Sequence, residues 1–118
     1  MNEVVDILKR LLEVKEVKVA VVVGEDGLVL DSAGSEEADV EAIGAICASG
    51  YISVKQIGEE LNYGAVVQSV TRFQSGVIVL SRLPNQFTLA VVATEKANLA
   101  KVWDATGGII TEMARLLR

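Results

Sequence analysis

No histidine occurs among the 118 residues of this chain, and cysteine, proline and tryptophan occur once each. The missing histidine removes the commonest acid–base side chain and the commonest metal ligand together. Neither a GxxxxGK phosphate loop nor a metal-ligand spacing replaces it, so no catalytic residue, cofactor or metal ion is expected. Basic residues are also scarce: 11 Lys and Arg stand against 16 Asp and Glu, for a net charge of -5 and a pI near 4.7. Binding to a phosphate backbone depends on clustered Lys and Arg, so nucleic acid is not an expected partner. The single Cys47 cannot form a disulfide within the chain, which agrees with a reducing compartment. The opening MNEVVDILKR places Glu3 and Asp6 among its apolar residues and has no basic leader, so it does not read as a secretory signal. A cytoplasmic protein without a membrane partner is the expectation.

What is present is an ordinary globular composition, 51% hydrophobic and 23% charged. The length suits one domain over residues 1–118. Asn2 can cap a helix whose Val5, Leu8, Leu11 and Leu12 recur at helical spacing. Residues 17–23 (VKVAVVV) and 28–30 (LVL) flank Gly24-Glu25-Asp26-Gly27, a hairpin signal. Residues 32–35 read as a turn cluster with Ser35 as a cap, and Glu36, Glu37 and Asp39 suit the positive end of a helix dipole. The helix that follows runs to about Leu61 and is stopped by Asn62-Tyr63-Gly64. Strand candidates come next at 65–72, 77–83 and 87–94. The last two are almost continuously apolar, as central strands are, whereas 65–72 carries Gln68, Ser69, Thr71 and Arg72 and belongs at an edge. Asn98 caps a last helix, whose interior Gly107-Gly108 costs roughly 1 kcal/mol per glycine relative to alanine. A bend there, or a second backbone packed close by, would explain the pair.

The order αββαβββα implies an α/β (α+β) fold: a five-stranded antiparallel sheet with the long helix on one face and the N- and C-terminal helices on the other.

Within the long helix, residues 42–54 (AIGAICASGYISV) hold no charged side chain, carboxamide or proline. The run is too short for a bilayer, which takes about 20 apolar residues, yet a helix apolar all round must be covered all round. On a helical wheel Val40, Ile43, Cys47, Gly50, Val54, Ile57 and Leu61 form a broad stripe, assigned to the chain's own sheet. The opposite side takes Glu41, Ala45, Ala48, Ser49, Ile52 and Glu59, small or apolar in the middle and acidic at both ends. Small residues let helices approach, and charged ends stay wet where crossed helices diverge, so a symmetric pair crossing near Ala48 fits. The alternative is a monomer in which the first or last helix covers this stripe. In the dimer, Ala48→Glu is expected to part the protomers by bringing two like charges together near the axis.

Weaker signals have structural explanations. Gly24 to Gly27 lacks the lysine and following helix of a phosphate loop, and Cys47 has no basic neighbour, which favours packing over nucleophilic use. Asp26, Asp31, Glu36, Glu37, Asp39 and Glu41 read as a solvated helix start rather than a cation site, and Arg72 and Arg82 as strand decoration rather than arginine fingers.

With these elements in place, LKRLLEVKEVKVAVVVGEDGLVLDSAG, the small-residue long helix and FTLAVVATEKANLAKVW together resemble the Roadblock family, named for a dynein light chain. The resemblance spans essentially the whole chain, Gly107-Gly108 being a departure from a smoother last helix. It implies the profilin-like Roadblock architecture and a homodimer or heterodimer in which long helices pack together and third strands pair. Here that maps onto Glu41, Ala45, Ala48, Ser49, Ile52 and Glu59 of the helix, and onto 65–72, with Val66, Gln68, Val70 and Arg72 as contact residues. The family also implies a small Ras-like GTPase as partner, docked and regulated without catalysis. An adaptor that only assembles other proteins and a small-ligand sensor are the alternatives, the latter predicting a large apolar pocket.

Overall fold

Asn2 opens the first helix, α1 (Glu3–Leu11): its Oδ1 accepts hydrogen bonds from the backbone N–H groups of Val4 at 3.0 Å and Val5 at 3.2 Å. Its amide donates to both carboxylate oxygens of Asp31, which ties the helix start to the sheet. The structure, a computed structural model, describes residues 2–35 and 37–117. After α1 come β1 (Val17–Gly24), β2 (Val29–Gly34), α2 (Val40–Leu61), β3 (Gln68–Phe73), β4 (Gly76–Arg82), β5 (Phe87–Thr94) and α3 (Leu99–Leu116). The strands form one antiparallel sheet in the order β2-β1-β5-β4-β3, with the expected element order and with β3 at an edge.

Several boundaries move, each for a local reason. β2 continues through the expected turn at 32–34 because Ser32 and Ala33 pair with Val21 and Ala20 of β1. At Gly34 the backbone takes a φ of 126°, and a Cβ there would lie 2.2 Å from the Lys18 carbonyl oxygen, so only glycine fits. Asp39, not Ser35, caps α2, accepting from the Ala42 N–H at 3.1 Å. Ser35 instead accepts from the Glu37 N–H at 3.3 Å and closes a turn, while Glu36 lies outside the described residues. Asn62 ends α2 in the left-handed conformation, with the Tyr63 N–H bonded to the Gly58 carbonyl at 2.9 Å.

The two faces of the sheet are unequal. α1 and α3 cover one face, where sixteen described hydrophobic residues form a buried cluster, among them Leu8, Leu11, Leu89, Val91 and Met113. α2 alone covers the other, where the buried hydrophobic cluster has seven, including Val19, Val21, Val23, Leu80 and Ala90. A single helix leaves that second layer thin. Among the described residues an Arg10–Glu112 ion pair links α1 to α3. α3 is continuous through Gly107-Gly108, and nothing lies within 4 Å of where a Cβ on either would sit, so no neighbouring backbone accounts for the pair within the described chain. Gly107→Ala and Gly108→Ala should each raise the unfolding free energy by about 1 kcal/mol, read from the urea midpoint, whereas Gly34→Ala should lower it sharply.

Candidate functional site

The inner side of α2 is dictated by the strand beneath it. Val19, Val21 and Val23 of β1 project toward the helix as a β-branched surface, and α2 lies close upon it. A Cβ at Gly44 would fall 2.6 Å from Cγ2 of Val29 and 3.4 Å from Cγ2 of Val23, so the contact admits small side chains only. Gly44, Cys47 and Ala48 are the buried residues of α2, with Val40, Ile43 and Tyr51 packed beside them.

This orientation corrects the wheel assignment. Ala48, expected on the outward stripe, is 4% exposed and belongs to the chain's own core. Gly50, Val54, Ile57 and Leu61, expected against the sheet, face outward. The helix is turned from that expectation so that the small residues Gly44, Cys47 and Ala48 meet the valine-rich sheet most closely. The outward face is therefore more apolar than expected: Ile46 is 72% exposed, Ile57 59% and Leu61 51%, with Ala45, Ser49 and Ser53 among them. Ile46 and Ile57 were absent from the sequence-derived outward stripe. The run of alternate valines in β1 is the signal that places them outside.

The remaining candidate contact residues divide by position. Glu41, Ala45, Ser49 and Glu59 are exposed on α2, and Ile52 is half-buried. On β3, Val70 and Arg72 are exposed and, by register with Val79 and Val77, share the face of α1 and α3. Gln68 is half-buried and its amide donates to the Ser81 hydroxyl at 3.0 Å; the carbonyl of half-buried Val66 accepts from the Tyr51 hydroxyl at 2.9 Å. Phe73, on the opposite face of β3 from Val70, is 55% exposed and was not singled out by the sequence pattern. One outward helix face and one edge strand with apolar side chains thus stand open on the same molecule.

The polar groups mostly serve local structure. Asp26 accepts from the Leu28 N–H at 3.0 Å within the β1–β2 turn, and Asp31 and Asp39 hold helix starts, which accounts for much of the acidic patch. Burial pushes the Cys47 thiol up and the Tyr51 phenol up. Lys55 donates to Glu25 at 3.1 Å, and that hydrogen bond and charge raise its affinity for the proton. Among the described residues no cluster of Cys, Asp or Glu is arranged to hold a metal ion, and no helix is long and apolar enough to cross a membrane.

The sequence profile of the Roadblock/LC7 domain matches residues 3–93. The chain belongs to the Roadblock/LC7 domain family. Its structure is similar to a Roadblock/LC7 domain from Streptomyces avermitilis, with a TM-score of 0.89 at 22% identity, covering 96% of each chain. It is also similar to Myxococcus xanthus MglB, with a TM-score of 0.91 at 14% identity over 98% of this chain and 95% of the other. The gliding protein MglB from Thermus thermophilus aligns with a TM-score of 0.87 at 17% identity, over 97% of this chain and 87% of that one. At these identities the likeness is one of fold. No match is found among curated proteins. Within this Roadblock fold the place of Ala48 changes the outcome of charging it: Ala48→Glu should unfold the chain rather than only part a dimer, since it buries an unpaired carboxylate. Far-UV circular dichroism and the melting midpoint read the loss.

Proposed function

We propose that this chain is a dimeric, non-catalytic regulator that docks a small Ras-like GTPase in the cytoplasm and alters its nucleotide cycle, acting as one Roadblock-like domain over residues 1–118. The observation that carries the reading is the uncovered apolar face of α2. Fully burying an Ile or Leu side chain is worth about 1.5–3 kcal/mol, against about 5–15 kcal/mol for the stability of a whole domain. Covering Ile46, Ile57 and Leu61 with a twin helix is therefore a large gain on that scale. Ala45, Ser49 and Gly50 on the same side let the partner helix come near, and Glu41 and Glu59 stay wet at its ends. β3 supports the same assembly, because among the described residues no strand lies beside its outer backbone groups, which can pair with a twin strand through Val70 and Arg72.

Family membership supports the GTPase half of the proposal, since resemblance to the Roadblock family implies a small Ras-like GTPase as partner. A structural relative described as MglB with tetrameric arrangement, at 18% identity and a TM-score of 0.88, supports self-association of this fold. An adaptor that only assembles other proteins would use the same face, and turnover separates the two readings. Wild-type chain should scatter light as a dimer of the 12.6 kDa protomer, and Ile46→Glu should scatter as a folded monomer. Added to its cognate GTPase, the wild type should change GTP hydrolysis or nucleotide release and Ile46→Glu should not. Binding without a change in either rate would leave the adaptor; an unchanged mass for Ile46→Glu would refute the α2 interface.

A further inference from the structure

A cavity of about 660 Å³ opens at the end of the sheet, beside β4 and away from the outward face of α2. It lies where β4 ends at Arg82; there the Val67 carbonyl, just ahead of β3, accepts from the Arg82 N–H at 3.1 Å, and Ala65 and Val66 line the opening. The volume lies within the roughly 300–1,000 Å³ of small-molecule sites.

The walls differ on the two sides of the strand ends. Arg82, two residues from Leu80, shares the α2 face, and Lys55 and Glu25 line the same cavity. Leu83, Phe87 and Ile110 belong to the face covered by α3 and form the apolar side. Lys55 is paired with Glu25 at 3.1 Å, while no ion-pair partner of Arg82 occurs among the described residues. In a chain of net charge -5, the cavity's side chains thus carry two cations against one anion. Its rim is the β4–β5 hairpin turn: Asn85 and Gln86 hold φ values of 58° and 63°, as the two central residues of such a turn do, and the Phe87 N–H donates to the Pro84 carbonyl at 3.3 Å. The Asn85 amide donates to the Leu117 carbonyl, and the Gln86 carbonyl accepts from the Glu25 N–H at 3.0 Å.

We propose that this cavity binds a small amphiphile with one anionic head, a carboxylate or a phosphate, and an apolar tail. The head sits at Arg82 and Lys55, where a guanidinium fork suits either oxyanion, and the tail lies against Leu83, Phe87 and Ile110. Ile46, Ser49 and Val70 of the proposed interface do not line it, whereas Val66 of the expected third-strand contact does.

Titration of the full-length chain with octanoate, octyl phosphate, octanol and octylammonium, followed by calorimetry and amide NMR shifts, tests this. At least one of the two anions should bind saturably, one per chain, at least tenfold tighter than octanol, and octylammonium should be weaker still; comparison of the two anions decides between carboxylate and phosphate. Arg82→Gln, at an exposed position, should reduce the better anion to the affinity of octanol. Ala114→Phe, which narrows the tail end, should weaken all probes, and Ile46→Glu should change none. Absence of saturable binding by both anions, equal affinity for octanol, or shifts centred on the outer face of α2 would overturn it. So would binding seen only with peptides that carry an acidic and an apolar residue, which would make the cavity a protein-docking notch.

Discussion

The close contact of α2 with the valine surface of β1 governs the rest of this molecule. Gly44 lies where a methyl group would overlap Val29, so the helix axis approaches the sheet more nearly than large side chains allow. Cys47 and Ala48 fill the remaining contact, and their smallness has a consequence on the far side of the helix. Large apolar residues that cannot fit inward are left outward, as Ile46, Ile57 and Leu61 show. Core packing and the open surface are thus two results of one steric limit. Dense interiors tolerate little misfit in either direction, so the helix cannot rotate to hide these residues without lifting off the sheet.

The sheet turns this local limit into an architecture with one thick and one thin layer. α1 and α3 together bury Leu8, Leu11, Val91 and Met113 and give the chain its main core. α2, alone on the opposite face, packs chiefly over β1, β2 and β5, leaving Phe73 on that face of the far edge exposed. β3, at the edge of the sheet, keeps its outer side available for pairing, and the strand ends near Arg82 and Leu83 border the cavity. Charges complete the arrangement: carboxylates at Asp31 and Asp39 secure helix starts, while the cations Lys55 and Arg82 stand at the cavity.

Much of the fold was legible from local chemistry. Asn2 and Asn98 cap the outer helices, Asn62 stops α2, and the apolar runs of β4 and β5 lie at the centre of the sheet as continuous hydrophobicity implies. Signals of that kind act over three or four residues, so they survive without tertiary context. The Ser35 cap does not hold and the turn expected over 32–35 begins only at its end, because the choice between extending β2 and turning depends on pairing with Val21 and Ala20, more than ten residues away. Helical periodicity likewise showed that α2 has two apolar sides, but periodicity assumes that the larger side chains face inward.

By itself the sequence determined the element order, the helix stops and caps, and an excess of apolar surface between residues 42 and 54 that one sheet cannot cover. These follow from backbone preferences and hydrophobic spacing, which are properties of neighbouring residues. Only the tertiary structure decided which side of α2 is inner. The answer depends on the distance between helix and sheet, set by valine side chains on β1 meeting Gly44, and no property of the helix alone contains that distance. The same holds for the cavity, whose cationic and apolar walls are drawn from segments brought together by the sheet register.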